Sequence, residues 1–201
     1  MIFDVLCSFL VTPLILFGPP GWVDQDYCVV SNFLSVEEEE RKLSEALFED
    51  VLLGVAASSC KNVNPKKVDS QLLLKLLQIE KHIGIPVKYR GMVLAAACNE
   101  SGYSSKARGD GGKAVGILQM WPWWERRYKV NRTDPYASAT AWLTQIMRTL
   151  PKARRKCGKR RAFVSAWAWV ASGPKKWKCR APRHYKRLRW WHREVNKAIE
   201  S

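Results

Sequence analysis

The chain has 201 residues, of which 47% are hydrophobic and 26% are charged, and it contains 10 tryptophans. This composition excludes a low-complexity disordered protein, because burying so much apolar surface offsets the entropy lost on folding. No apolar run reaches the ~20 residues that a transmembrane helix needs, which argues against an integral membrane protein. The length fits one domain of about 150 residues with additional chain before it.

The charge is unevenly distributed along the chain. Residues 1–60 carry 2 basic and 10 acidic side chains, whereas residues 61–201 carry 32 basic and 8 acidic ones. The segment Pro151–Ser201 alone has 17 basic and 2 acidic side chains, a net charge of +15. Such a field predicts a polyanionic partner, which could be an anionic wall polymer, a membrane surface or nucleic acid. The plainer interpretation is a solvated basic surface.

The first 22 residues are apolar, and their central run Val5–Phe17 has the length of a signal-peptide core. No basic residue precedes this run and no A-x-A cleavage site follows it, so as a signal segment it is atypical. We keep two interpretations of residues 1–22: an export signal, or an apolar arm that packs on the domain. Export would place the protein in the periplasm or at the cell wall, and association with a virion is the alternative.

Residues 23–66 are predicted to form an acidic helical extension. Within it, Ser35–Val55 has a capping serine, acidic residues near the positive end of the helix, and an apolar stripe. The stripe consists of Leu43, Leu47, Val51 and Leu52. The composition changes from acidic to basic near Lys61–Lys67, where we place a candidate boundary.

The rest of the chain predicts a mainly α-helical fold, because no alternation of period two is sustained. Helical patterns cover Gln71–His82, Pro86–Glu100, Asp134–Leu150, Arg161–Val170 and Pro182–Ile199. Between the second and third of these, Gly102–Gly116 is rich in glycine, which predicts a loop or a small irregular β-hairpin.

The six cysteines permit an oxidising compartment without proving one. Cys157 and Cys179 lie in basic, loop-like segments and could form a disulfide, which we predict if the protein is exported. Cys28 and Cys60 are the other possible pair, and Cys98, inside an apolar helical pattern, is predicted to be a buried free thiol. The three histidines are too scattered for a zinc site, so we predict no metal and no cofactor.

Glu100 is the candidate catalytic residue. It ends the small apolar segment LAAACNE, where the negative end of the helix dipole and apolar neighbours both favour the protonated carboxyl group. A protonated carboxyl group can donate a proton to a leaving group. For the residue alone, a surface glutamate at a helix end is the plainer interpretation. We interpret the other nearby acids, Asp110, Glu125 and Asp134, as a turn cap, a surface ion pair and a helix cap.

The motifs around Glu100 resemble those of the soluble lytic transglycosylases, whose fold is similar to goose-type lysozyme. The family's E-S pair is matched by Glu100-Ser101, and its G-[LI]-[LM]-Q motif by Gly116–Gln119. An acidic-Pro step matches Asp134-Pro135, and an A-Y-N-A-G-P segment is similar to Ala168–Pro174, so the resemblance covers about half the chain, Pro86–Trp177. Trp169-Val170 replaces the family's aromatic-Asn pair, and Ser172 is an extra residue before the glycine.

The resemblance implies a lysozyme-like catalytic domain over residues 67–201, with a strongly basic C-terminal portion. It implies a lytic transglycosylase that cuts the MurNAc-GlcNAc β-1,4 bond of peptidoglycan, with Glu100 as the single acid and base, and leaves 1,6-anhydro ends. The substrate-binding residues that it implies are Ser101, Gly116 and Gln119, with Trp169 and Ser172 as substitutes in the last segment. Tyr103 is a further candidate for stacking on sugars, although core packing is the plainer interpretation of any single aromatic residue. Of the tryptophans, the Trp121–Trp124 cluster is the best candidate for stacking on sugars, because adjacent residues cannot all face inward.

Two alternatives remain open on the sequence. A lysozyme-type hydrolase on the same scaffold, such as a phage or virion-associated lysin, would use water as the nucleophile. A basic nucleic-acid-binding protein would explain the mixture of bases and aromatics in Lys152–Arg193, but not the pattern around Glu100 and Gln119.

Overall fold

The computed structural model describes the backbone of residues 25–60, 63, 68–173 and 179–201, and within these ranges the side chains from residue 38 onward. The described residues form seven α-helices and one two-stranded antiparallel sheet, which confirms the predicted mainly α-helical fold. The chain divides into two compact units, Met1–Ala46 and Leu47–Ser201. The predictions for residues 1–22 concern a part of the chain outside the described residues.

Helix α1 spans Gln25–Ser59. The helix predicted over Ser35–Val55 is present but longer, and Ser35 lies inside it, so the predicted cap is wrong. The predicted apolar stripe is wrong at Leu43 and Leu47, which are 74% and 48% exposed. The spacing of apolar residues shows which of them share a face of the helix. It does not show along which part of the helix that face is covered by other elements.

The last turns of α1 belong to the core of the second unit. Leu52, Ala56 and Cys60 are buried there. The packed unit therefore begins before the change of composition near residues 61–67. The division that the structure shows lies inside α1, at Ala46–Leu47.

Helix α2, Ser70–Ile83, follows the predicted limits to within one residue at each end. The carboxylate of Asp69 accepts hydrogen bonds from the backbone N–H groups of Gln71 and Leu72, and so caps the helix. At the other end, Gly84 adopts the left-handed conformation that commonly closes a helix. The buried side of α2 carries Leu72, Leu73, Leu76 and Leu77.

The single helix predicted from Pro86 to Glu100 is wrong in its first half. A 3-10 turn covers Val87–Tyr89, and helix α3 begins only at Met92 and ends at Ser101. Gly91 separates the two with a φ of 83°, a backbone conformation that ends regular helix. Helix α3 is buried from Met92 to Cys98, packs against α2 and the last helix, and carries Glu100 near its C-terminal end.

The glycine-rich segment forms the predicted hairpin. Strands β1 (Arg108–Gly109) and β2 (Ala114–Val115) pair antiparallel, with Arg108 opposite Val115, and a 3-10 turn, Asp110–Gly112, joins them. Helix α4, Pro122–Tyr128, was not predicted, because its seven residues are too few to show a helical period.

The remaining helices are α5 (Pro135–Cys157), α6 (Ala162–Ser172) and α7 (Arg183–Glu200). All three predictions are confirmed, although α5 continues through Pro151 beyond its predicted end. Asp134 caps α5 as predicted, accepting from the N–H groups of Tyr136 and Ala137. No helix among the described residues has the length and hydropathy of a membrane span.

Two disulfides cross-link the second unit. Cys157 and Cys179 are bonded, which confirms their predicted pairing. Cys60 is bonded to Cys98, so the predicted free thiol at Cys98 and the predicted Cys28–Cys60 pair are both wrong. The helical pattern correctly placed Cys98 in the core, but it held no information on which distant segment would meet it there.

Candidate active site

Glu100 lines a cleft of about 540 Å³ in the second unit. Elements that are distant in sequence form its walls: the end of α3, the hairpin, the start of α4, the end of α6 and the start of α7. The lining side chains include several aromatic ones, contributed by Trp121, Trp123, Trp124 and Trp142. The side chain of Glu100 is 38% exposed, so its carboxylate is accessible from the cleft.

A second depression, of about 810 Å³, shares Glu100, Gly109 and Gln119 with the cleft. It extends toward Val63, Val68 and the start of α2. Glu100 therefore lies where two depressions meet. A chain-like ligand that filled both would pass directly over its carboxylate.

Glu100 is in direct contact with His184, a residue that the sequence analysis did not single out. The Nε2 atom of His184 lies 2.7 Å from Oε1 of Glu100. His184 is on the first turn of α7, and its side chain is only 11% exposed. The sequence did contain a signal, because His184 has helical spacing to the buried Leu188, Trp191 and Val195 and therefore lies on the apolar face of α7.

Ser101 fixes the end of α3 to the turn that follows the hairpin. Its hydroxyl donates to the carbonyl oxygens of Ala97 and Ile117, at 3.1 and 2.9 Å. Since Ile117 lies in the Gly116–Gln119 motif, this bond holds the two predicted motifs together. The structure thus gives Ser101 a bridging role, and its contact with a substrate stays a prediction.

Gly116 and Gln119 build the turn that follows the hairpin, next to the end of α3. Gly116 has a φ of 79°, and an added Cβ would collide with the carbonyl oxygen of Arg132, so only glycine fits there. The side-chain nitrogen of Gln119 donates to the carbonyl oxygens of Ala107 and Gly116, at 3.2 and 2.9 Å. These bonds hold the Gln119 side chain at the point where the two depressions meet, close to Gly109.

The other predicted binding residues differ in their access to the cleft. Ser172 is exposed and lines the cleft at the end of α6. Tyr103 is 6% exposed and donates its hydroxyl to the carbonyl oxygen of Ala56, and burial raises its pKa. Trp169 is half-buried against the core and is not part of the cleft lining. Trp169 thus packs against the core, as does Tyr103, although Tyr103 also lines the second depression; their contacts with sugars stay predictions.

The Trp121–Trp124 cluster divides as expected between cleft and core. All three tryptophans line the cleft, but Trp121 and Trp123 are 44% and 37% exposed, whereas Trp124 is buried. The rings of Trp123 and Trp124 are stacked with their centroids 4.5 Å apart. The two stacked indoles offer an extended apolar surface to the cleft.

Asp110 brings a second carboxylate to the cleft. It is exposed on the cleft wall at the tip of the hairpin. Among the described residues its carboxylate has no hydrogen-bond donor, so the turn cap that we predicted is wrong. Glycine flanks it on both sides, which made a turn the simplest interpretation of the sequence. Glu125, by contrast, forms the expected ion pair, with Arg132 at 3.0 Å.

No set of histidine, cysteine or carboxylate groups within the described residues is arranged to hold a metal ion. No protein-family model, no curated protein and no solved structure matches the chain. The geometry of the cleft and the sequence motifs around it therefore carry the functional argument.

Proposed function

We propose that this protein cleaves the β-1,4 bond between MurNAc and GlcNAc in peptidoglycan, as a lytic transglycosylase of lysozyme-like fold. Glu100 is the single acid and base. The observation that carries the proposal is the position of its carboxylate, at the C-terminal end of a buried helix and at the junction of two depressions. A glycan strand can cross this junction with sugars on both sides of the bond that breaks.

The walls of the cleft suit a glycan. Trp121 and Trp123 offer apolar faces of the kind that stack on sugar rings, while Ser172 offers a hydroxyl group. The two predicted motifs are in direct contact through the bond from Ser101 to Ile117, and each contributes residues to the cleft lining, Glu100 and Gln119. The resemblance in sequence thus corresponds to residues that the fold brings together.

The proposed reaction proceeds in two steps. Protonated Glu100 gives its proton to the glycosidic oxygen, the bond from that oxygen to C1 of MurNAc breaks, and the substrate's N-acetyl group stabilises the developing cation. The 6-hydroxyl oxygen of the same MurNAc then bonds to C1 and gives its proton to the Glu100 carboxylate. One bond is broken, one is formed inside the sugar, and Glu100 regains its proton.

A second candidate is a lysozyme-type hydrolase on the same scaffold, and the position of Asp110 favours it. Hydrolysis commonly uses one carboxyl group as acid and a second one to activate or replace water. With Asp110 on the cleft wall, the site is not limited to one carboxylate. In that reaction water would supply the hydroxyl group at C1 and return a proton to Glu100.

The test is digestion of purified peptidoglycan by the wild-type protein and by Glu100→Gln. Glutamine keeps the size of the side chain but cannot exchange the proton, and general acid–base catalysis contributes roughly 10²–10⁴-fold in rate. We expect Glu100→Gln to abolish cleavage, while Glu194→Gln, the same change on the surface of α7, keeps it. Near-normal cleavage by a folded Glu100→Gln protein would refute the proposal.

Mass spectra of the released fragments separate the two candidates. Anhydro ends, unchanged in Asp110→Asn, would support the transglycosylase. Reducing ends that disappear in Asp110→Asn would show that the hydrolase is correct.

A further inference from the structure

His184 places a ring nitrogen against the carboxylate proposed to do the chemistry. The distance of 2.7 Å from Nε2 to Oε1 of Glu100 is that of a strong hydrogen bond. Among the described residues, no other group donates a hydrogen bond to the Glu100 carboxylate. Oε2 therefore remains available to a ligand in the cleft.

The imidazole is held in place from several directions. His184 lies on the buried face of α7 with Leu188, Trp191 and Val195, and its side chain also lines the cleft. The indole ring of Trp167, which is fully buried, lies against it with ring centroids 6.3 Å apart. A ring packed in this way has little freedom to turn, so it can fix the group to which it is bonded.

The surroundings of the ring indicate which nitrogen carries hydrogen. A carboxylate can only accept, so Nε2 must be the donor whenever Glu100 is ionised. Nδ1 is buried and has no partner among the described residues. Nε2 is therefore the nitrogen that donates to Glu100, while Nδ1 faces no acceptor in the described part of the chain.

We propose that His184 is a positioning residue for the acid–base reaction: its Nε2–H group holds Oε1 of Glu100, so that Oε2 carries the proton to the glycosidic oxygen. This inference rests on the proposed function. Without the contact, the carboxyl group at the end of α3 could rotate and present either oxygen. A small misplacement of a reacting group can cost about 100-fold in rate.

The kinetic test compares His184→Leu with His184→Gln in turnover of soluble glycan strands. Leucine keeps the apolar packing but has no donor, and we expect kcat to fall about tenfold to 100-fold with KM unchanged. The side-chain nitrogen of glutamine can reach nearly the position of Nε2, so His184→Gln should recover much of the lost kcat. If the role of His184 were merely structural, His184→Leu would lower the melting temperature and His184→Gln would not recover kcat.

His192 provides the matched control. It is a second largely buried histidine on α7, and its Nε2 donates to the carbonyl oxygen of Arg90 at 2.8 Å, away from the cleft. His192→Leu removes a comparable hydrogen bond, so it should affect stability and leave kcat near the wild-type value. A similar loss of kcat in His192→Leu and His184→Leu would overturn the inference.

Nitrogen NMR of the imidazoles gives a readout independent of turnover. We expect His184 to show hydrogen on Nε2, and Glu100→Gln to shift its signals while those of His192 stay unchanged. Hydrogen on Nδ1 alone would overturn the inference. Suppose that the wild-type protein cleaves peptidoglycan and Glu100→Gln does not. If His184→Leu then has the kcat of the wild-type protein, the inference about His184 is refuted and the proposed function stands. If the folded wild-type protein does not cleave peptidoglycan, the proposed function fails and the inference fails with it.

Discussion

The fully buried carboxyl group of Glu80 should make the free energy of unfolding depend on pH. Glu80 is on α2, and its two oxygens accept from the backbone N–H groups of Gly91 and Val93, each at 2.6 Å. It thereby caps the start of α3, the helix that carries Glu100. Burial raises the pKa of Glu80 to about 8, against the opposing effect of these two hydrogen bonds and of Arg90.

The sign of the effect follows from proton binding. At pH values between 4.5, the ordinary pKa of a glutamate, and about 8, its pKa in the folded protein, Glu80 binds more protons in the folded than in the unfolded protein. Its contribution to stability is therefore complete at low pH and is lost as the pH rises through this window. The full shift corresponds to roughly 5 kcal/mol, as much as the whole stability of some domains.

Glu80→Gln isolates this contribution. Glutamine retains one acceptor oxygen but turns an NH₂ group toward the other backbone N–H, which costs about 1–3 kcal/mol at low pH. It does not titrate, so the wild-type advantage should shrink from pH 5 and reverse before pH 8, because the free energy linked to the Glu80 proton is larger than this cost. His192, whose pKa burial lowers, acts in the opposite direction, but it is present in both proteins and its effect cancels.

The assay is urea unfolding followed by tryptophan fluorescence, with both disulfides intact, at several values between pH 5 and pH 8. Glu194→Gln on α7 is the control: it removes only the ion pair with Lys197, worth at most about 1 kcal/mol, and its difference from wild type should not vary as that of Glu80→Gln does. A wild-type advantage over Glu80→Gln that stays constant or grows across this range would refute the reasoning.

Two further predictions concern the cross-link and the charge. Replacing Cys157 and Cys179 together by serine should lower the free energy of unfolding by about 3 kcal/mol, since the disulfide closes a loop of 22 residues. Free thiols at these two positions in non-reducing peptide maps of the wild-type protein would contradict this prediction. Replacing the exposed bases Lys186, Arg189 and Arg193 by glutamine should weaken binding to intact sacculi at low salt, where screening is weak, without changing turnover of short soluble glycans. Loss of nucleic-acid binding in this triple variant, with sacculus binding unaffected, would favour the nucleic-acid alternative instead.

Much of the helical fold could be predicted because its signals are local. Asp69 and Asp134 begin helices through bonds to residues two and three positions ahead, and Gly84 ends one through its own backbone. The break at Gly91 could not be predicted in the same way. It depends on Glu80, eleven residues earlier, which supplies the cap that lets α3 start anew.

The candidate site was predictable in part. The motifs located Glu100 and the turn at Gln119, because both lie within one continuous segment. His184 and Asp110 were missed as site residues, since one is 84 positions away from Glu100 and the other lies in a sequence typical of an ordinary turn. Their roles depend on which helices and loops meet at the cleft, and this is a property of the tertiary packing.

The alanine run of α3 has a consequence for how the cleft can respond to ligands. Ala95, Ala96 and Ala97 are essentially inaccessible to solvent, so neighbouring helices approach the backbone of α3 closely and leave it no room to shift. Glu100 is thus attached to a helix that is buried from Met92 to Cys98. Another part of the cleft lining consists of two-residue strands and the exposed rings of Trp121 and Trp123. The hairpin and these tryptophans would adapt to ligands that carry different substituents. Sequence differences among related proteins should therefore be frequent in that part of the cleft and rare along α3.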